Sequence, residues 1–174
     1  MSCKELLPTG AEILCPSEIA TYITGDTMII YTMTNTHEKW ECTAAFAHNC
    51  SWRAGKYLAE FMRKNAFKDR ERVFVAFEDD EPVGFCTLTE KDELDPKYSY
   101  TPLIGFVFVD DAHRGKRISE KMIAKVLEYA KNTGYDKVYV MSGEKGLYEK
   151  YGFACMGDYE SIYGGKEQLF VKST

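Results

Sequence analysis

The sequence predicts an α/β domain with one mixed, mostly antiparallel sheet flanked by helices. Strand-like and helix-like segments alternate along the chain. The segment 103–109, LIGFVFV, is apolar on both faces, which is typical of a central strand. The 174 residues contain no internal repeat and no Pro/Gly/Ser-rich linker, so we expect a single domain over residues 1–174.

Apolar periodicity and turn residues divide the chain into elements. In chain order these are one or two short strands within 20–34, helices at 38–48 and 51–65, a hairpin at 71–90 around the turn EDDEP, a strand at 103–109, a helix at 118–130, a strand at 136–142, a short helix at 146–153 ending at Gly152, and a strand at 165–173. The strand–helix–strand unit from 103 to 142 is expected to be a right-handed crossover.

Composition excludes some function classes. The formal net charge of −5 disfavours a nucleic-acid binder, which needs a basic surface, and is a weak indication of a cationic or amine-bearing substrate. The sequence contains no run of about 18 apolar residues, so no membrane span is expected. The first residues, MSCKELLPTGAEIL, lack the pattern of a signal peptide, and the six cysteines form no CxxC pair. We therefore expect reduced thiols and a cytoplasmic location.

The segment 112–119, AHRGKRIS, places basic residues between a buried strand and a helix. Backbone N–H groups at such a helix start are unpaired and lie at the positive end of the helix dipole, where a phosphate fits. A solvated basic turn explains the same residues. The Walker A pattern GxxxxGK[ST] is absent, so the turn alone leaves both interpretations open.

The longer stretch VDDAHRGKRISEKMI resembles the acetyl-CoA-binding motif of the GNAT superfamily of N-acetyltransferases. That motif begins with Arg or Gln, followed by two variable residues, a Gly, one variable residue, and then Gly or Ala. Arg114 takes the first position, whereas Arg117 stands where the family usually has Gly and Ser119 where it has Gly or Ala. The variable positions hold Gly115, Lys116 and Ile118.

A second segment, GLYEKYGF, resembles the family's Tyr-Glu-Lys-x-Gly-Phe segment at a typical interval from the first. The Asn that often precedes it is absent from VMSGEKG. The resemblance covers roughly residues 70–174 well, and residues 1–65 agree only in layout. It implies a GNAT-like fold and direct attack of a neutral amine on acetyl-CoA, without a covalent enzyme intermediate.

The resemblance also implies residue roles. Backbone groups of Val107, Phe108 and Val109 would hold the pantetheine arm, and an N–H of this stretch would polarise the thioester carbonyl. The amides of 114–119 would hold the pyrophosphate. Two roles stay open for the Arg117 side chain: exposure to solvent, or a charge-assisted bond to a CoA phosphate, which we favour because its planar fork suits phosphate.

Tyr148 matches the family's general acid, which protonates the leaving thiolate. A phenol with a pKa near 10 suits this transfer. The alternative is that Tyr148 only packs, and Tyr151 is the nearby competitor, for which packing is the better interpretation.

The general base is not evident, because TPLIGFVFV contains no acid. Glu90, Asp92, Glu93 and Asp95 precede it and could act through water, but a solvated acidic loop is the preferred interpretation. The amine could also lose its proton to a water chain.

Residues between the two N-terminal helices are substrate-pocket candidates, because relatives bind the acceptor there: His48, Asn49 and Trp52. Cys50 lies beside them, but side chains two apart on a helix rarely face each other, so we expect a packed cysteine and not a nucleophile. His37 and His113 show no metal-ligand spacing, and no metal is expected.

The sequence thus predicts a cytoplasmic acetyl-CoA-dependent N-acetyltransferase acting on a small-molecule or peptide amine. A non-catalytic CoA-binding sensor with the same fold is the main alternative, since Arg117 and the missing acid depart from the family pattern. A protein acetyltransferase is a third. No nucleic-acid or membrane partner is expected, and the oligomeric state, including a homodimer, stays open.

Overall fold

A computed structural model describes residues 28–174. Its elements are β1 (Met28–Met33), α1 (Trp40–Asn49), α2 (Gly55–Arg63), β2 (Arg72–Glu78), β3 (Glu81–Thr89), β4 (Leu103–Val109), a 3-10 helix (Asp111–His113), α3 (Ile118–Asn132), β5 (Lys137–Ser142), α4 (Leu147–Lys150), β6 (Ala154–Glu160) and β7 (Lys166–Ser173). Within this part of the chain, no helix combines the length and apolar character needed to cross a bilayer.

The seven strands form one sheet in the order β1-β2-β3-β4-β5-β7-β6. β4 and β5 are parallel, and every other neighbouring pair is antiparallel. The predicted mixed, mostly antiparallel α/β fold is therefore confirmed. The first predicted strand segment is β1 from residue 28 onward, and its residues 20–27 lie outside the described part. The right-handed crossover stays a prediction.

The predicted element order is wrong at one place, because it omits β6. The segment ACMGDYE has no alternation of apolar and polar residues, and none of its side chains is fully buried. It pairs with β7 through a register shift between Cys155 and Gly157, which also weakens any period of two. β6 is thus an edge strand held by backbone pairing more than by burial.

Helices cover both faces of the sheet. Along β2, Val73, Val75 and Phe77 pack on the side of α1 and α2, whereas Phe74 and Ala76 pack on the side of α3. This alternation explains why RVFVAFE is apolar at nearly every position. Each large side chain buried this way contributes about 1.5–3 kcal/mol to folding.

β4 and β5 pair only at their first residues, Leu103 with Tyr139 and Ile104 with Val140. Beyond this point β4 has no strand partner on that side among the described residues. A bulge lies in the same place: Phe106 has φ 50°, and the register with β3 shifts between Phe85 and Thr87. The two central strands therefore part and leave a cleft in the middle of the sheet.

Candidate functional site

The cleft between the parted strands has a volume of about 840 Å³. Its walls come from β4, β5, α4, the start of α3, the turn between α1 and α2, and the loop between β3 and β4. It brings together nine residues singled out from the sequence: Trp52, Asp92, Glu93, Val107, Phe108, Val109, Arg114, Ser119 and Tyr148.

Other predicted residues do not line this cleft. Gly115, Lys116 and Arg117 lie just outside it, at the turn into α3, and the Ile118 side chain is buried in the core. His48 and Asn49 are exposed and lie away from the cleft, and the Asn49 amide donates to the Ala45 carbonyl. Of the three substrate-pocket candidates, only Trp52 reaches it.

A close helix–helix approach positions Trp52. A Cβ on Gly55 would lie 2.5 Å from Cys50 Sγ and would also overlap the Ala47 carbonyl, so only glycine lets α2 start this near to α1. The predicted second helix accordingly begins at Gly55 and not at 51. Trp52 lies on the intervening turn, where its ring stacks on Phe108 at a centroid distance of 6.2 Å. It is 39% exposed, so part of the ring faces the open cleft.

The turn before α3 has two residues in the left-handed backbone region. Gly115 has φ 82°, and Arg117, which caps α3, has φ 58°. A side chain in this region costs about 1–2 kcal/mol, which is why glycine usually occupies it. Arg117 therefore keeps a glycine-type backbone conformation at the position where the motif normally carries Gly.

The three basic side chains of this turn each pair with a carboxylate. The pairs are Arg114 with Asp111 at 2.7 Å, Lys116 with Glu78 at 2.9 Å, and Arg117 with Glu120 at 2.8 Å for Nη2 to Oε1. Their charge is thus largely offset within the chain. What remains for an anion is the set of unpaired N–H groups at the start of α3 and the helix dipole.

Tyr148 lies in α4 and is only 4% exposed. Its ring packs against Phe153 and Phe170, and the residue also lines the cleft. Burial raises the pKa of Tyr148 above its usual range, and a hydrogen bond with Ser142 opposes the shift. The raised pKa keeps the phenol protonated at neutral pH, and it also makes Tyr148 a weaker acid than a phenol with the usual pKa near 10.

Tyr151, the competitor, has a different environment. Its hydroxyl lies 2.8 Å from Ser119 Oγ, and this hydrogen bond ties α4 to the start of α3. Tyr151 does not line the cleft. Each hydroxyl has a serine partner, so it is the position relative to the cleft that separates the two tyrosines.

Two of the four acids that precede β4 enter the cleft. Asp92 and Glu93 line it, whereas Glu90 pairs with Lys68 and Asp95 lies near Lys97. The interpretation as a solvated acidic loop did not predict that Asp92 and Glu93, which are only partly exposed, line the cleft.

Sequence reasoning missed two further acids of the cleft, Glu144 and Glu167. Burial, followed by the charges of Glu93 and Glu167, raises the pKa of Asp92 to about 7. In the part of the chain that the structure describes, no Lys, Arg or His pairs with Asp92, Glu93 or Glu167. Among residues 28–174, the negative charge at this end of the cleft is thus uncompensated.

Cys50 is packed, as expected. Its thiol donates to the Ala47 carbonyl at 3.2 Å, and burial raises the pKa of the thiol, which disfavours a nucleophilic thiolate. Among residues 28–174, no group of three or more His, Cys, Asp or Glu side chains is arranged to hold a metal ion. The expectation of a metal-free site stays a prediction.

Comparison with known proteins identifies relatives. The model of the acetyltransferase (GNAT) family matches residues 34–153. No curated protein matches by sequence. Among solved structures, a GNAT-family acetyltransferase from Streptococcus pneumoniae superposes with a TM-score of 0.61 at 15% identity, covering 84% of this chain and 98% of that one.

Two further structures are aminoglycoside 6'-acetyltransferases. The type Ii enzyme gives a TM-score of 0.66 at 16% identity, covering 83% of this chain and 96% of that chain. The other, a complex with coenzyme A, gives 0.63 at 14% identity with the same coverage. At these identities the likeness shows the fold.

Proposed function

Because the chain belongs to the acetyltransferase (GNAT) family, we propose that it transfers the acetyl group of acetyl-CoA to an amine of a small molecule or peptide. One observation carries the proposal: β4 and β5 part, and a buried tyrosine lies on the wall of the resulting cleft. A non-catalytic CoA sensor would need the cleft but not a proton donor in it.

The residues present fit acetyl-CoA. Where β4 leaves β5, backbone groups of 107–109 have no strand partner on that side and can bond the pantetheine arm. At the start of α3, the amides of 114–119 can hold the diphosphate, with the Gly115 conformation shaping the turn. Bound there, acetyl-CoA supplies the acetyl thioester. An N–H of the 107–109 stretch would stabilise the negative charge that develops on its carbonyl oxygen.

Tyr148 is the proposed general acid. Its phenol is protonated at neutral pH and reaches the cleft from α4, so it can deliver a proton to the departing sulfur. Its position supports this role over Tyr151, which does not line the cleft.

The acceptor is proposed to be a cationic amine. Asp92, Glu93 and Glu167 face the cleft without basic partners among the described residues, and Trp52 adds an aromatic face that attracts ammonium groups. Aminoglycosides belong in the test panel because two structural neighbours are named for them. We also propose that the reaction takes place in the cytoplasm, on the evidence of cysteine usage given above.

Calorimetry and a thiol-release assay test the proposal. CoA should bind, with affinity that falls moderately as salt rises. Acetyl-CoA should release thiol faster when primary amines are added, and aminoglycosides, diamines and short peptides form the panel. Binding without amine-dependent release would favour the sensor. No binding at millimolar CoA would exclude both functions.

A further inference from the structure

We propose that Asp92 is the general base of the transfer, and that Gly105 provides the space its carboxylate needs to lie against β4. The inference rests on the proposed function. It assigns the proton acceptor that the apolar sequence of β4 does not supply.

The contact between Asp92 and Gly105 is the first support. A Cβ on Gly105 would lie 2.8 Å from each carboxylate oxygen of Asp92 and 2.9 Å from its Cγ. The φ of Gly105 is not positive, so backbone conformation does not demand glycine there. The absent side chain instead lets the carboxylate approach the strand closely.

The position of this contact along β4 is the second support. Gly105 follows Ile104, the last residue of β4 that pairs with β5, so Asp92 lies where the cleft opens. Tyr148, on the helix that follows β5, lines the same cleft. An amine between them would have a proton acceptor on one side and a proton donor on the other.

The surroundings of Asp92 suit a base that works near neutral pH. Desolvation, together with the charges of Glu93 and Glu167, raises its pKa to about 7, while the Glu93 backbone N–H opposes the shift. Burial, followed by the charges of Glu93 and Asp92, raises the pKa of Tyr163, which lies at the tip of the β6–β7 hairpin. A base with a pKa near the working pH combines ionisation with proton affinity.

Glu93 is a weaker candidate for the same role. It lines the cleft and its pKa is raised, first by burial and then by Glu167. It makes no comparable approach to β4, since the carboxylate against Gly105 belongs to Asp92. Glu93 therefore serves as the matched control.

The proton balance is complete. Asp92 takes one proton from the ammonium of the acceptor, and the neutral nitrogen then forms the C–N bond while the C–S bond breaks. Tyr148 protonates the thiolate and regains a proton, through water, from the second N–H of the attacking nitrogen. Asp92 releases its proton to solvent, so one proton leaves per amide formed.

The test compares Asp92→Asn with Glu93→Gln. Asp92→Asn should lower kcat at pH 7.5 by at least about 100-fold and remove the ascending limb of the pH profile of kcat/KM near pH 7. CoA affinity should stay level. Glu93→Gln should keep the limb, moved to lower pH because the Glu93 charge raises the pKa of Asp92, and should lose no more than about tenfold in kcat/KM, through KM. An Asp92→Asn variant with wild-type kcat and an unchanged limb would overturn the assignment of Asp92 as the base but not the proposed function. A wild-type protein that transfers to no amine would remove the proposed function as well.

Gly105→Ala gives a readout that does not depend on activity. The added Cβ should displace the carboxylate from β4. Carbon-13 NMR of the aspartate carboxyl groups in the ligand-free protein should show the Asp92 resonance titrating near pH 7 in wild type and closer to pH 4 in the variant. An Asp92 midpoint near 4 in wild type would contradict the proposed environment. So would an unchanged midpoint in a folded Gly105→Ala protein.

Discussion

The two ends of the cleft differ in whether their charged side chains have partners of opposite charge. At the turn into α3, each basic side chain has a carboxylate partner: Arg114 with Asp111, Lys116 with Glu78, and Arg117 with Glu120. At the loop before β4, Asp92 and Glu93 have no basic partner among the described residues. The first end is neutralised by the chain itself, and the second is not.

This difference indicates what each end recognises. A neutralised turn with free backbone N–H groups binds an anion through geometry and the helix dipole, with limited dependence on net charge. An uncompensated acidic end gains most from a ligand that brings a positive charge. The expected orientation therefore places the CoA phosphates at α3 and a cationic acceptor beside Asp92.

The largest expected effect comes from Tyr148→Phe, which removes one hydroxyl and keeps the ring. Loss of a positioned proton donor should lower kcat by about 100-fold or more while the Kd for CoA stays level. Steady-state thiol release and calorimetry measure the two quantities. Tyr151→Phe is the matched control, with less than about tenfold loss in kcat. Unchanged turnover in Tyr148→Phe would assign Tyr148 to packing alone.

Ionisation of Asp92 should lower the free energy of unfolding as pH rises. Because the pKa of Asp92 is about 7 when folded and near 3.9 when unfolded, the folded state binds more protons between these values. The free energy of unfolding therefore falls as pH rises from 4 to 7 and the buried Asp92 carboxyl loses its proton. Asp92→Asn should unfold with a free energy about 1–3 kcal/mol higher than wild type at pH 8, after allowance for screening, and this gain should vanish near pH 4. Urea denaturation at both pH values measures it; a gain that is constant with pH would contradict the shifted pKa.

Neutralising the other acids should weaken acceptor binding moderately. Glu167→Gln and Glu93→Gln should each raise KM for a dicationic amine by about fivefold, as expected for a partly exposed charge pair of about 1 kcal/mol. The effect should shrink in high salt. A salt-independent rise in KM would point to lost shape rather than lost charge.

The smallest effect is expected for Arg117→Gly. Since the guanidinium pairs with Glu120 and the residue has φ 58°, we now expect CoA affinity within about twofold of wild type. Glycine relieves the left-handed conformation at this cap but loses the Glu120 pair and gains freedom in the unfolded chain, so the free energy of unfolding should change by less than about 1 kcal/mol. Calorimetry decides the point. A tenfold loss of CoA affinity would mean that Arg117 leaves Glu120 for a phosphate.

The sequence was sufficient for most of the fold. Continuous apolar runs identified β2, β3 and β4, and the helical stripe of 118–130 identified α3, because burial imposes a period on these segments. β6 was missed because an edge strand with mostly exposed side chains carries no such period. The family resemblance, which rested on the segments around Arg114 and Tyr148, is confirmed.

The acidic end of the cleft was harder to predict. Asp92 was one of four acids in a loop, and nothing in the local pattern tells which of them turns inward, because the path of the loop depends on distant packing. A signal did exist: Gly105 interrupts an apolar strand, which indicates either a bulge or a close approach by another group. Glu167 lies on β7, more than sixty residues after Gly105 in the sequence, and only the sheet order brings it to the cleft.

The most direct test of opposite electrostatics at the two ends uses a pair of acceptors that differ in one charge. A primary amine with a second ammonium group is compared with the same molecule carrying a hydroxyl in its place. The kcat/KM for acetyl transfer should favour the dication by about tenfold or more at low salt, and the ratio should fall toward one as salt rises. Equal values at all salt concentrations, or a preference for the hydroxyl compound, would contradict the assignment of the acidic end to the acceptor.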